Sequence, residues 1–254
     1  PPKICIDLKG EFDAQIQSRR VPRAIHKVAT SILPYMSTRL KKEWLPRDEE
    51  GEVHYNVVFE ELDMSTGEWF VLTRTNNMLE RLREHLYRMN YRFEAKSQEL
   101  LPNKMLNAYR VWTRLNQGAY VNKEDVKDLW EYMTVKDGHL VRGFASIKVL
   151  EDITSINLDG LRSEYGLLAA GSWEMLRFPE QSKLYIKKLL ESGDDLTKPA
   201  RIKLSTIHSV KGEEKDNVVL FTDIERIIYE SAKRNADPEH RTFYVGVTRA
   251  KQKL

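Results

Sequence analysis

A few arginines and one short polar loop carry most of the chemistry available to this sequence. Residues 239–254 read EHRTFYVGVTRAKQKL. As a helix, this stretch puts Phe243, Val247, Ala250 and Leu254 on one apolar stripe and brings Arg241 and Arg249 together on another face. Guanidinium groups on a rigid element suit phosphoryl transfer, where charge developing at a γ-phosphate needs a donor of fixed geometry. The sequence lacks the other half of such a site. It has no G-x-x-x-x-G-K-[ST] loop, and its dense acidic run, Asp48-Glu49-Glu50, follows Trp44-Leu45-Pro46-Arg47 rather than an apolar strand. The arginines therefore read as serving a nucleotide seated mainly on another surface.

A second cluster spans residues 201–223. Ile202, Leu204 and Thr206 alternate as a strand, a polar loop with His208, Ser209, Lys211 and Gly212 follows, and Val218-Val219-Leu220-Phe221 predicts a buried parallel strand ending in Thr222-Asp223. Small hydroxyls, a lysine and a glycine at a strand's carboxyl end suit contact with phosphate. Taken alone, the loop is equally an ordinary turn, since a lone histidine is more often a hydrogen-bonded turn residue than a functional one.

The elements that must hold these residues follow from periodicity. Over 17–36, Ile25, Val28, Ala29, Ile32 and Leu33 form an apolar face behind Pro22, which predicts a helix. Arg19, Arg20 and Arg23 then crowd its amino end, where the helix dipole disfavours cations by roughly 0.3–1 kcal/mol. Arg23 reads as solvated surface, and Arg20 as the partner of an anion. A strand is expected around His54 to Phe59 and another from Trp69 to Arg74. Asn77 with Glu80 suggests a helix amino-terminal cap, a helix runs on to Asn90, and Tyr91 to Ala95 alternates as a strand. This is a βαβ unit, whose ligands bind beyond the carboxyl ends of the strands. Arg74 lies there, with a surface role equally open.

Residues 100–199 differ in texture. Helices are predicted over 104–115, 122–133 and 182–190, with no steady period across 138–171. Trp112, Trp130 and Trp173 read as core, because large aromatics most often pack. The fold class expected is α/β: a parallel sheet flanked by helices, interrupted by a mostly helical inserted subdomain.

Composition fits an ordinary globular chain of 254 residues with a net charge of +3 and a pI near 8.8, which permits a nucleic-acid partner. The single cysteine, Cys5, excludes an internal disulfide, and no apolar run reaches the roughly 20 residues that span a bilayer. The start, PPKICIDLKGEFD, lacks a signal-peptide pattern. A reducing, cytoplasmic setting is expected, with no membrane partner.

SRRVPRAI, VLTRTN, LSTIHSVKGEEKDNVVL and EHRTFYVGVTRAK, in this order, resemble motifs IV, IVa, V and VI of the superfamily 1 DNA helicases of the UvrD, Rep and PcrA type. The last two are specific: T-x-H-S-x-K-G-x-E followed by R-x-x-Y-V-G-x-T-R-A-K. The resemblance covers the whole chain and implies a second RecA-like domain at 1–98 and 200–254, of the P-loop NTPase type, with a reduced inserted subdomain at 99–199. The chain is expected to begin just past the first RecA-like domain, which would carry the phosphate loop, the Mg²⁺ ligands and the early DNA contacts.

The resemblance also implies roles. Arg20 and Arg249 would reach the γ-phosphate of ATP, bound with Mg²⁺, from across the cleft between the two RecA-like domains. Glu214 would contact the ribose or couple nucleotide to DNA, and Arg241 would support the ATP site. Arg19 stands where the family usually has an aromatic that stacks on adenine; a guanidinium also stacks on a base plane. Thr206, His208 and Lys211 would lie along single-stranded DNA, with Arg74 in support. No residue is expected to ligate a metal. The implied activity is ATP-driven movement on single-stranded DNA, 3′ to 5′, with unwinding at a duplex junction, by a parent protein of which these residues alone are inactive. Two alternatives remain open: a degenerate helicase-like module that only binds single-stranded DNA or a protein, and a helicase-fold protein acting on RNA.

Overall fold

The apolar run at Trp69–Thr73 becomes the middle of a parallel sheet. The computed structural model describes residues 16–38, 43–96 and 100–254; Cys5 and the amino-terminal stretch without a signal-peptide pattern lie outside them. In chain order the elements are α1 (Arg23–Ile32), β1 (Trp69–Thr73), α2 (Asn76–Arg88), β2 (Phe93–Glu94), α3 (Asn103–Asn116), β3 (Val121–Asn122), α4 (Lys123–Trp130), β4 (Ser155–Ile156), α5 (Leu158–Glu164), α6 (Glu180–Glu191), β5 (Ile202–Thr206), β6 (Lys215–Leu220), α7 (Arg226–Ala232), α8 (Asp237–Val247) and β7 (Ala250–Lys253). Two compact units result, one from Pro1–Ala95 with Ala200–Leu254 and one from Lys96–Pro199.

The first unit has five strands in the order β2-β5-β1-β6-β7, every neighbouring pair parallel. This is the expected α/β sheet flanked by helices, consistent with a RecA-like domain. Phe70, Val71 and Leu72 are fully buried because β1 is covered on both faces, which a parallel sheet between helix layers requires. Side chains alternate across the strand. Phe70 and Leu72 join Ile25 and Ala29 of α1, Val247 of α8 and Ala250 of β7, while Val71 joins Leu86 of α2 and Phe93 on the other face. The β1-α2-β2 unit forms, but β5 sits between its two strands. β5 buries Ile202, Leu204 and Thr206 there, with Thr73 and Thr206 in register.

Three local expectations fail. Residues 54–59 form no strand: the chain runs beside β7 only at Glu52 and His54, Tyr55 turns out to solvent, and Phe59–Glu61 is a single 3-10 turn. Helix α2 starts two residues early, with Thr75 rather than Asn77 at its cap position. That hydroxyl caps nothing; it donates instead to Glu225 Oε1 at 2.6 Å, so Asn77 lies inside the helix. The helix expected through residue 254 stops at Val247, and Ala250–Lys253 pairs with β6. The open edge of β6 supplies backbone partners that helix propensity over T-R-A-K cannot outweigh. Arg241 and Arg249 consequently do not share a helix face.

The acidic run that looked out of place serves α1. The backbone carbonyls of Glu49 and Glu50 accept the first helical N–H groups, those of Arg23 and Ala24, at 3.0 and 2.8 Å, and the Asp48 carboxylate faces the Arg23 guanidinium at 3.6 Å. Gly51, at φ +69°, lets this turn lie on Pro22, where a Cβ would come within 2.5 Å of the ring.

At the other end of α1, Asp237 ties the following turn to α8. Its carboxylate accepts from the Ser37 and Thr38 N–H groups at 2.8 and 3.1 Å and from their hydroxyls at 2.8 and 3.0 Å. The Ser37 N–H bond foremost, with the others, holds this carboxyl far below the ordinary carboxylate range. The folded state therefore binds fewer protons than the unfolded state, so this contribution is present above the unfolded value near pH 4 and drains away as pH falls further. Urea unfolding between pH 7 and pH 2 is expected to show this acid-side loss. Asp237→Asn should start less stable and lose less in acid.

In the second unit, β3 and β4 form an antiparallel pair beside the helices. Trp112 and Trp130 are buried core residues, as expected, and donate to the Gly171 and Phe144 carbonyls at 3.1 and 2.9 Å. Trp173 is half-buried, edge-on to Tyr109.

Candidate nucleotide and nucleic-acid site

Arg20 precedes α1, Glu214 ends the loop before β6, and Arg249 lies in the turn between α8 and β7. One core cluster anchors the neighbours of two of them, Val21 and Ala250, against Phe70 and Leu72. The Ser18 hydroxyl accepts from the N–H groups of Arg20 and Val21, fixing the backbone from which Arg20 projects.

Arg20 Nη1 donates to Glu214 Oε2 at 3.2 Å, and both side chains are partly exposed. Its Nε is buried with no acceptor among the described residues. A buried donor left unmade costs about 1–3 kcal/mol, which makes the group a candidate for a missing ligand. Arg249 is the opposite case. It is 8% exposed, with Nε donating to Val245 O at 3.0 Å, Nη1 to Glu213 O at 3.0 Å and Nη2 to Thr248 Oγ1 at 3.3 Å. Burial, and then the positive charge of Arg20, lower the Arg249 pKa, while Glu214 opposes the shift. The two guanidiniums therefore stand within electrostatic reach of each other. Tyr244, half-buried on α8, is part of the same group. Burial raises its phenol pKa, and Arg20 and Arg249 pull it back. Sequence reasoning missed Tyr244, although it stands inside the R-x-x-Y-V-G pattern.

Arg241 is elsewhere. It donates to Thr38 O and Thr38 Oγ1 and faces Asp237 Oδ2 at 3.3 Å, bracing the contacts of Asp237 with Ser37 and Thr38. Arg19 is exposed, with no side-chain partner among the described residues. Gly246 lets α8 lie close to the sheet, since a Cβ there would approach Leu220 Cδ1 to 2.9 Å.

The remaining candidates gather at the carboxyl ends of β1 and β5. Arg74 grips Glu239 through Nε and Nη2 at 2.5 and 2.9 Å, so its pKa is raised by that bond and the Glu239 pKa is lowered by it. His208 adds a smaller lowering influence at Glu239, and its Nε2 lies 3.5 Å from Thr242 Oγ1. Thr206 Oγ1 and Ser209 Oγ are 2.9 Å apart. Lys211 is exposed further along the loop, whose Val210 is packed in the core. A row of hydroxyl, imidazole and amine groups at the carboxyl end of a firmly held sheet can contact a phosphate backbone by hydrogen bond and charge.

The loop before β6 and the α8-turn-β7 segment that carries Arg249 come together at the same sheet. Residues 169–254 match the UvrD-like helicase C-terminal domain. No curated protein matches the chain. The UvrD-like portion contains Thr206, His208, Lys211, Glu214, Arg241 and Arg249; Arg19, Arg20 and Arg74 precede it. Over that portion the likeness is to a helicase-related domain, from a family that in general uses ATP and Mg²⁺ and acts on DNA. Among the described residues, no group of three or more His, Cys, Asp or Glu could hold a metal, and no helix is long and apolar enough to cross a membrane.

Proposed function

We propose that residues 1–98 and 200–254 are the second RecA-like half of an ATP-driven translocase on single-stranded DNA, moving 3′ to 5′ and unwinding at duplex junctions in the cytoplasm. Residues 99–199 are then its reduced inserted subdomain. The observation that carries this reading is the approach of Arg20, Arg249 and Glu214 from three distant parts of the chain to one place, beside residues matching a helicase domain. Arg249 and Arg20 would meet the terminal phosphate of an ATP whose phosphate loop and Mg²⁺ ligands another domain supplies. The orphan Arg20 Nε fits such a polyanion. Arg19 would stack on the base, Glu214 would face the nucleotide, and Arg241 would act at a distance by bracing α8. Thr206, His208, Lys211 and Arg74 would follow the DNA backbone, so that closing and reopening around nucleotide alternates the grip on the strand.

The test uses residues 1–254 with a single-stranded DNA oligonucleotide. ATP turnover should be undetectable with and without DNA. DNA binding should weaken on Lys211→Ala, with the salt slope of log affinity shrinking by about 0.7 for the lost phosphate contact. Robust turnover by these residues, or an unchanged slope, would overturn the assignment. Preference for an RNA oligonucleotide of the same sequence at fixed salt would move the activity to RNA.

A further inference from the structure

We infer that Glu214 is a stand-in for the nucleotide's terminal phosphate, holding Arg20 until a polyphosphate takes that guanidinium over. This rests on the proposed nucleotide site and adds an exchange of partners within it.

The two arginines are held differently. Arg249 is satisfied by two backbone carbonyls and one hydroxyl, so it stays where the fold puts it. Arg20 has a single charged partner, offered through Nη1, while its Nε has no acceptor among the described residues. A phosphate accepts from two donors of one guanidinium edge at once, which the contact with Glu214 does not achieve. Glu214 is poised for release as well. The neighbouring Glu213 is tied to Lys203 Nζ at 2.9 and 2.7 Å and, through its carbonyl, to Arg249. Its loop is therefore anchored independently, and the Glu214 carboxylate can leave Arg20 without unravelling β6. The pair is partly solvated on both sides, at 32% and 42% side-chain exposure, and such pairs hold weakly.

A stand-in of this kind does two things. It neutralises Arg20 beside the fixed charge of Arg249 when no nucleotide is present, which limits repulsion between like charges in one site. It also makes a polyanion compete with a carboxylate for Arg20, so nucleotide binding is weaker than the two arginines alone would give.

The decisive measurement is calorimetric titration of residues 1–254 with inorganic triphosphate at constant ionic strength. Glu214→Gln keeps the side-chain size and removes the competing charge, so it should bind about two- to fivefold tighter than the parent sequence, the range expected for releasing an exposed ion pair. Glu214→Asp, too short to keep the contact, should shift the same way. Arg20→Ala combined with Glu214→Gln should abolish the gain. Thermal melting checks that each variant is folded. Equal or weaker binding by the folded Gln variant, or a gain that survives loss of Arg20, overturns the inference. Neither DNA nor turnover enters the titration. Tighter binding by Glu214→Gln alongside robust ATP turnover by residues 1–254 would leave the exchange standing and overturn the helicase assignment alone.

Discussion

Replacing Arg249 by alanine should lower ATP turnover by about 10³- to 10⁵-fold in the protein where these residues face a phosphate loop, the range seen when a trans-acting arginine is lost from phosphoryl transfer. The size of the effect follows from how the side chain is held. Three hydrogen bonds and burial fix the guanidinium before any nucleotide arrives, so its charge costs no reorganisation in the transition state. Alanine also leaves the Val245 and Glu213 carbonyls without their donor, and part of the loss could then be a loosened turn. Arg249→Lys separates the two: it keeps the charge but cannot reproduce the fork, and it should retain most of the thermal stability while still losing turnover. The measurement is steady-state ATPase with saturating single-stranded DNA, alongside melting curves. A folded lysine variant with parental turnover would remove Arg249 from the reaction.

Phe70→Ala should destabilise the first unit by about 3–5 kcal/mol, as expected for truncating a fully buried aromatic in a core that cannot collapse. Phe70 is 0% exposed in the central strand. It packs in the cluster that also contains Val21, next to Arg20, and Val247 and Ala250, on either side of Arg249. The same substitution should therefore reduce turnover at temperatures where the domain is still folded, because both arginines share that support. Urea unfolding gives the stability change, and a destabilisation below about 1 kcal/mol would contradict the packing described. Trp112, buried in the second unit, offers the control: Trp112→Ala should cost comparable stability with no direct effect on the Arg20 and Arg249 geometry.

Much of this was legible in the residues themselves. The period of the apolar runs predicts α1, β1, α2, β5 and three helices of residues 100–199, because burial on one face leaves a repeat in the sequence. The motif spacing around Thr206-x-His208 and in residues 239–254 points to the same family that residues 169–254 match. Where expectation failed, a partner distant in sequence had intervened. Residues 250–253 look helical until the open edge of β6 offers them hydrogen bonds. Asn77 looks like the cap of α2, but the cap position falls to Thr75, whose hydroxyl donates to Glu225, 150 residues away. Arg241 and Arg249 look equivalent on a helical wheel, yet Asp237 and Thr38 claim one while the turn into β7 buries the other.

The sequence by itself determined the kinds of group present: guanidiniums, a phosphate-compatible loop, apolar stripes for a parallel sheet, and no phosphate loop. Only the tertiary structure decided which groups meet. Local periodicity encodes which side of an element is buried, whereas the pairing of Arg20 with Glu214 across 194 positions depends on strand order and on which backbone edges remain open. Neither leaves a local pattern to read, because the hydrogen-bond and charge partners that settle them come from elsewhere in the chain.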